Sequence, residues 1–272
     1  MDKIQTGRNL PAATVIGLLL LSSVIASLFV YKYVFILLAL VALLLAAHEL
    51  TTQWSRSRDV KTSFFLIATS ISLMVFSSVY FGILGLIGAY LVAGILNALY
   101  GLTNRFSFRK IFKISIFTYS YLGLFGSLSM LMLKTEDGAG RVFLFIAITA
   151  FSDTGGYLTG ILIGKHKIAP SISPQKSYEG LIGSIIFAVL FAGFAGPKFL
   201  EIEIWQAVVI GITLALVGTA GDLFESGIKR QLGIKDFSTL IPGHGGMLDR
   251  LDSLAPNALM SFLLFGLFLG FN

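Results

Sequence analysis

The sequence predicts an all-α, polytopic integral membrane protein, and two observations carry that prediction. Of the 272 residues, 56% are hydrophobic and only 12% are charged, whereas soluble domains carry about 25% charged residues. The apolar residues also form runs of about 20, the length of helix that crosses a hydrocarbon core of about 30 Å. A membrane β-barrel would alternate apolar and polar residues instead. The chain has no cysteine, which excludes a disulfide framework and a thiolate metal site.

Nine apolar segments are predicted to cross the membrane. Their bounds are about 11–30, 33–52, 62–78, 80–100, 111–133, 142–164, 181–200, 204–224 and 254–271. The first follows Lys3 and Arg8 as in a signal peptide, but its apolar run exceeds the usual 7–15 residues or so and no clear cleavage site follows. We therefore expect a retained helix. The third and fourth form one uncharged block, about twice too long for a single crossing, so we place a break near Ser77 and Ser78.

Cationic residues segregate to alternate ends of these spans and predict the orientation of the chain. One side receives 16 of the 20 Lys and Arg residues: Lys3, Arg8, Arg56, Arg58, Lys61, Arg105, Arg109, Lys110, Lys113, Lys165, Lys167, Lys176, Lys229, Arg230, Lys235 and Arg250. By the positive-inside rule that side is cytoplasmic, which places the N-terminus in the cytoplasm and the C-terminus outside. The net charge of +6 then reflects membrane orientation, and no nucleic-acid partner is predicted.

We expect one membrane domain over residues 1–272, because no repeat or soluble segment interrupts the pattern. Residues 1–140 form N-terminal helices with no assigned role, residues 141–253 carry the catalytic motifs, and residues 254–272 are the last transmembrane helix. Two polar stretches, 165–180 and 225–253, are both predicted to face the cytoplasm.

Acidic residues within predicted spans are the first candidates for function, because burying a carboxylate in a membrane is costly. Asp153 lies in the middle of "ITAFSDTGGYLTG", although Ser152, Thr154 or a neighbouring helix could simply satisfy it. The nearby glycines at 156, 160 and 164 share one helix face and favour close helix packing.

Asp222 closes the eighth span and shares a helix face with Glu225 and Ser226. A plainer interpretation is a helix end with an ion pair between Glu225 and Lys229, and the two interpretations are compatible. Glu49 and His48 are adjacent on a helix and face apart, so no joint site is predicted there.

The stretch "PGHGGMLDRLDS" combines a glycine-rich turn with two aspartates. The glycines expose backbone N–H groups to an anion, and Asp249 and Asp252 flank Arg250. Oxygen ligands without cysteine favour Mg²⁺ or another hard cation, while Lys and Arg side chains offset phosphate charge. The pattern predicts metal-assisted phosphoryl chemistry. A basic loop that merely attracts anionic lipid would explain the cations but neither the aspartates nor the glycines.

The second polar stretch, "SISPQKSYEG", supports two interpretations. Ser177 precedes Glu179 and a new apolar run, so it could only start a helix. Lys176 could equally contact a phosphate group. The basic stretch 105–113, earlier in the chain, is interpreted as a topology determinant.

Residues 226–252, "SGIKRQLGIKDFSTLIPGHGGMLDRLD", resemble the signature of the CDP-diacylglycerol synthases, also called phosphatidate cytidylyltransferases. "SDTGGYLTG" and "SPQKSYEG" resemble two further blocks of that family in the same order. Gly156 stands where many members have Ala, and Gln175 and Ser177-Tyr178 replace a commoner Lys and Thr-Trp. The resemblance covers about residues 150–253 and is limited to hydropathy and length before them.

The resemblance implies that CTP and phosphatidate react to CDP-diacylglycerol and pyrophosphate, with Mg²⁺ as the cofactor, and a second cation is left open. Asp222 and Asp249 would be the metal ligands and, with Lys229 and Arg230, the catalytic residues. The implied substrate-binding residues are Lys176, Ser177, Glu179, Lys235, Asp236, His244, Gly245, Gly246, Arg250, Asp252 and Asp153. The resemblance also implies a homodimer in a bacterial-type cytoplasmic membrane. A CTP-dependent lipid kinase, a transporter and a synthase acting on ether-linked isoprenoid lipids are the alternatives.

Overall fold

A computed structural model of the chain describes residues 22–58, 62–103, 108–241 and 245–271. Within these residues, helices account for nearly all of the structure. We number them α1 (22–30), α2 (Lys32–Arg58), α3 (Phe64–Thr103), α4 (Phe108–Thr118), α5 (Phe125–Leu133), α6 (Gly138–Ile163), α7 (Tyr178–Phe199), α8 (Ile204–Leu232) and α9 (Leu254–Leu269). A π-helical segment, Tyr119–Leu124, joins α4 to α5, and a 3₁₀ turn, Leu248–Arg250, precedes α9.

The predicted all-α class is confirmed. In the described part of the chain, six helical segments are long and apolar enough to cross a membrane, and Leu254–Leu269 is a shorter apolar helix. One of the six is the continuous run Phe108–Leu133, which includes the π-helical segment. Most of the first predicted span, residues 11–21, lies outside the described residues, so the number of nine crossings stays a prediction.

Helix α3 folds back on itself and so accounts for two of the predicted spans. Asn97 donates a hydrogen bond from Nδ2 to Ser70 Oγ at 3.0 Å, although a straight helix would separate residues so far apart in sequence by about 40 Å. The reversal occurs at Gly82, whose φ of 66° and ψ of −149° are accessible essentially only to glycine. The predicted position of the break, Ser77 and Ser78, was therefore wrong. Ser78 is helical, and its hydroxyl donates to Val75 O at 2.7 Å.

Helices α6 and α7 pack through glycines, as the small-residue pattern predicted. A Cβ atom added at Gly155 would lie 2.8 Å from the carbonyl oxygen of Gly183, and one added at Gly183 would lie 2.8 Å from that of Gly155. The two backbones are therefore in direct contact, the geometry that small residues permit between membrane helices. The contact runs through Gly155 and Gly156 more than through Gly160, where a Cβ would meet only ordinary van der Waals neighbours.

Two short strands, which the sequence did not predict, connect α6 to α7. Strand β1 (Lys167–Ala169) pairs antiparallel with β2 (Ser173–Ser177), with Lys167 opposite Ser177 and Ala169 opposite Ser173. Strand β2 runs directly into α7, and its last residues are Lys176 and Ser177. The hairpin thus gives part of the polar stretch 165–180 a fixed backbone.

The polar side chains divide between the two ends of the helical bundle. At one end, Arg141 pairs with Asp137 at 2.8 Å and donates to the Gly270 carbonyl at 2.6 Å. At the other end, Gln53 donates to the Phe237 carbonyl at 2.7 Å, and Arg230 donates from Nε to the Ile172 carbonyl at 3.1 Å. The last contact joins the two polar stretches, so they lie at the same end of the bundle. Which end faces the cytoplasm remains a prediction.

Candidate active site

An ion pair between Lys176 and Asp222 links the two polar stretches. Strand β2 carries Lys176 and α8 carries Asp222, and Lys176 Nζ lies 2.7 Å from Asp222 Oδ2. The same ammonium group donates to the Thr219 carbonyl at 3.4 Å, and Ser226 Oγ lies 3.3 Å from Asp222 Oδ1. The Asp222 side chain is 30% exposed, so this carboxylate is open to a ligand.

A second, buried ion pair is centred on Asp249. Lys229 Nζ lies 2.8 Å from Asp249 Oδ1 and 3.0 Å from Glu225 Oε1, which confirms the predicted pairing of Glu225 with Lys229. The other oxygen of Asp249 accepts hydrogen bonds from the backbone N–H groups of Phe237 at 3.1 Å and Gly246 at 2.9 Å. Asp249 therefore fixes both the loop before it and the position of Lys229. Breaking such a buried pair costs about 3–5 kcal/mol.

Asp153, Asp222 and Asp252 form a group of neighbouring carboxylates between α6, α8 and the start of α9. The Ser253 hydroxyl lies 3.5 Å from Asp153 Oδ1, and Lys176, Asp222 and Arg250 are electrostatic neighbours of Asp153. Burial, together with the negative charge of Asp222, raises the pKa of Asp252 to about 7. The site therefore brings three carboxyl groups close together, with Lys176 and Arg250 as the cations beside Asp153.

Glu49, at which the sequence predicted no site, holds the glycine-rich turn in place. It is 6% exposed and accepts hydrogen bonds from the Ser238 hydroxyl and from the N–H groups of Met247 at 2.9 Å and Leu248 at 2.8 Å. A Cβ atom at Gly246 would lie 2.7 Å from Glu49 Oε2 and 2.9 Å from Asp249 Oδ2. The turn thus needs glycine at 246 because two carboxylates approach its backbone.

The signal for Glu49 was present in the sequence as a carboxylate within the apolar run of α2. His48, the neighbouring residue on α2, makes an edge contact with Phe64 at 5.1 Å between ring centroids. The partners of Glu49 lie about 190 residues away, and no local spacing rule reaches so far.

Comparison with known proteins assigns the chain to a family. Residues 11–268 match the model of the cytidylyltransferase family. The chain belongs to that family. It is 32% identical to a phosphatidate cytidylyltransferase of Mycobacterium leprae, over 95% of this chain and 88% of the relative. It is 31% identical to the phosphatidate cytidylyltransferase of Mycobacterium tuberculosis, over 95% and 83%. A phosphatidate cytidylyltransferase of Staphylococcus epidermidis is 39% identical over 55% of this chain and 57% of its own length.

The carboxylates of this cytidylyltransferase fit a cation that is only partly held by protein. Among the described residues, no three His, Cys, Asp or Glu side chains form a metal cage. Mg²⁺ commonly takes one or two carboxylates and completes its shell with phosphate oxygens and water. Asp222 is exposed enough for that role, and Asp249 Oδ1 keeps a second lone pair beside its bond to Lys229. The closeness of Asp153, Asp222 and Asp252 to one another gives such a cation an electrostatic reason to bind.

The remaining predicted site residues fall into two groups. Ser177 caps α7 by accepting from Gly180 N at 3.1 Å, and Glu179 binds the His166 ring and the N–H groups of Lys165 and His166. Both therefore have structural tasks, which confirms the interpretation of Ser177 as a helix start. The residues with exposed side chains around the two ion pairs are Arg230, Lys235, Asp236 and Arg250.

The glycine-rich turn is closed by a short backbone bridge. Ile241 and Gly245 exchange hydrogen bonds of 2.9 and 3.1 Å, and Gly245 has a φ of 85°. A Cβ atom at Gly245 would lie 3.6 Å from Asp236 Oδ1, so Asp236 faces this turn. His244 lies outside the described residues, and its predicted substrate role is neither supported nor opposed. For the other predicted substrate-binding residues, contact with substrate also stays a prediction.

Proposed function

We propose that this protein transfers CMP from CTP to phosphatidate, giving CDP-diacylglycerol and pyrophosphate for phospholipid synthesis. The observation that carries the proposal is the meeting of the Lys176–Asp222 and Lys229–Asp249 pairs at one end of an apolar helical bundle. Phosphatidate cytidylyltransferase is also the name of the relatives that match almost the full chain.

The proposed reaction is a direct displacement at phosphorus. A phosphate oxygen of phosphatidate forms a bond to the α-phosphorus of CTP while the bond from that phosphorus to the bridging oxygen breaks, and pyrophosphate leaves with the electron pair. A phosphate is already anionic at neutral pH, so the nucleophile needs no strong general base. It needs relief from charge repulsion and alignment with the leaving group, which fixed cations supply.

The residues divide these tasks by their position. Lys176 and Lys229 are held in place by Asp222 and Asp249, so their charges are already oriented toward arriving phosphate groups. Arg230 and Arg250 are exposed beside them and would pair with the outer phosphates of CTP and the lipid headgroup. Asp222 and Asp249 would hold Mg²⁺, which when bound neutralises phosphate charge.

The architecture suits one water-soluble and one lipid substrate. CTP would reach the polar end of the bundle from the cytoplasm, while the acyl chains of phosphatidate stay among the apolar helices. A cytoplasmic-facing site in the bacterial inner membrane and assembly as a homodimer belong to this proposal.

In the test, CTP labelled in either the α- or the γ-phosphate is incubated with purified protein, phosphatidate and Mg²⁺, and the label is then located in the products. Label in the α-phosphate is expected in the lipid product, and label in the γ-phosphate in pyrophosphate. A lipid kinase would reverse this result by placing γ-label in the lipid, and absence of any lipid-linked CMP would refute the proposal. An ether-linked isoprenoid phosphate offered in competition with phosphatidate identifies the preferred lipid.

A further inference from the structure

A groove separate from the candidate active site lies between α2, α4 and α8. Its volume is about 440 Å³, and its lining residues are Trp54, Lys110, Lys113, Ile114, Phe117, Phe224, Ile228 and Gln231. On α4 the lining positions 110, 113, 114 and 117 follow helical spacing, and on α8 the positions 224, 228 and 231 do the same. The groove is therefore bounded by one continuous face of each helix.

The groove lies on the side of α8 that faces away from Asp222. Asp222 pairs with Lys176, whereas Phe224 lines the groove. Because these residues are two positions apart on an α-helix, their side chains are rotated about 200° from each other around the helix axis. Phe117 and Phe224 lie 6.2 Å apart, and both contact Tyr121, at 5.7 and 6.1 Å between ring centroids. Phe117 and Phe224 therefore form an aromatic wall of the groove. Tyr121, which contacts both rings, has Glu225, Asp252 and Asp222 as electrostatic neighbours.

Polarity changes along the length of the groove in the way that an amphiphile requires. Lys110, Lys113 and Gln231 are exposed at the end where α4 begins and α8 finishes. Phe117 lies seven residues after Lys110 on α4, and Phe224 lies seven residues before Gln231 on α8. Both rings are therefore about 10 Å deeper in the bundle than those polar residues. Within the described residues neither lysine forms an ion pair with an acidic side chain.

We propose that this groove binds a membrane phospholipid with an anionic headgroup, with the headgroup at Lys110 and Lys113 and an acyl chain against Phe117 and Phe224. Basic pockets between membrane helices near the bilayer surface bind such headgroups. A free phosphate would gain nothing from the apolar walls, and a soluble apolar ligand nothing from the lysines. Lipid binding is measured without CTP, so this proposal stands or falls separately from the proposed enzymatic function.

The test uses the fluorescence of Trp54, because the chain contains only two tryptophans. Trp205→Phe leaves Trp54 as the sole tryptophan of the full-length protein. That variant is placed in phosphatidylcholine bilayers with increasing fractions of either acyl-brominated phosphatidylglycerol or acyl-brominated phosphatidylcholine. The anionic lipid is expected to quench Trp54 with an apparent affinity about thirtyfold higher, the preference that two surface lysines provide.

Matched variants assign this preference to the groove. Lys110→Gln with Lys113→Gln should make the two lipids quench equally, while Lys110→Arg with Lys113→Arg should keep the preference. Lys32→Gln with Lys134→Gln removes the same charge from two exposed positions outside the groove and should change nothing. In the protein that keeps both lysines, high salt should weaken the preference for the anionic lipid without any change in folding.

Three results would overturn the proposal. The first is equal quenching by both lipids before any lysine is changed, and the second is a preference that survives the two glutamine substitutions. The third is quenching by neither lipid together with a protein dimer whose contact covers Trp54, which would make a second copy of the chain the occupant.

Discussion

Asp222 and Asp249 carry the same charge but sit in different surroundings, and this difference decides what their loss would do. Asp222 is 30% exposed and has one strong partner, whereas Asp249 is 4% exposed and has three. A partly exposed ion pair contributes about 0–1 kcal/mol to stability. The removal of a charge from a buried pair costs several times more.

We therefore expect Asp222→Asn and Asp249→Asn to separate activity from stability. Both should lower CMP transfer by about 100-fold or more, because each withdraws charge from the phosphate site. Only Asp249→Asn should also lower the free energy of unfolding, by about 3–5 kcal/mol. Turnover and thermal unfolding in detergent measure the two effects. Glu136→Gln, an exposed carboxylate outside the site, is the control, and full activity in both Asn variants would refute the assignment.

Glu49 is predicted to act through the turn that it holds. Glu49→Ala leaves the N–H groups of Met247 and Leu248 buried without their acceptor, which costs about 1–3 kcal/mol for each group. We expect lower stability and a lower kcat. In Glu49→Gln, an amide N–H₂ group replaces one acceptor oxygen, so the loss should be intermediate.

His48→Gln supplies the matched control for Glu49, since it changes the neighbouring residue on the other face of α2. It should leave kcat unchanged. Equal effects at positions 48 and 49 would mean that α2 as a whole, and not the contact with the turn, is responsible.

At the scale of elements, the reversal in α3 depends on one glycine. Gly82→Ala places a Cβ on a backbone with φ of 66° and ψ of −149°, a conformation that costs a non-glycine residue about 1–3 kcal/mol. We expect a lower unfolding temperature. Gly88→Ala is the control on the same element, because it is helical and a Cβ there has no neighbour within 4 Å.

The control should be neutral or slightly stabilising, since alanine favours a helix over glycine by about 1 kcal/mol. If the Gly82→Ala protein is as stable as the Gly88→Ala protein, the reversal of α3 does not depend on the backbone conformation at position 82.

For the molecule as a whole, the orientation in the membrane is the main open prediction. The chain has no cysteine, so single cysteines report their own accessibility. A membrane-impermeant maleimide added outside intact cells should label Lys134→Cys and leave Arg56→Cys unlabelled until the membrane is permeabilised. Both positions are exposed. The reverse pattern would place the candidate site outside the cell and rule out cytoplasmic CTP as its substrate.

The sequence by itself determined the membrane class, the two polar stretches and most of the charged residues that meet there. It could do so because hydropathy, charge bias and short motifs are local properties of the chain. The predicted pairing of Glu225 with Lys229 and the cap at Ser177 also involve residues only a few positions apart.

Only the tertiary structure decided which of these charges lie together and what holds them. The contacts of Lys176 with Asp222 and of Glu49 with the glycine-rich turn join residues 46 and about 190 positions apart. The reversal at Gly82 and the groove between α2, α4 and α8 likewise depend on how helices pack. A carboxylate in an apolar helix shows that a partner is needed, because burial without one is too costly. Which partner it finds depends on the fold.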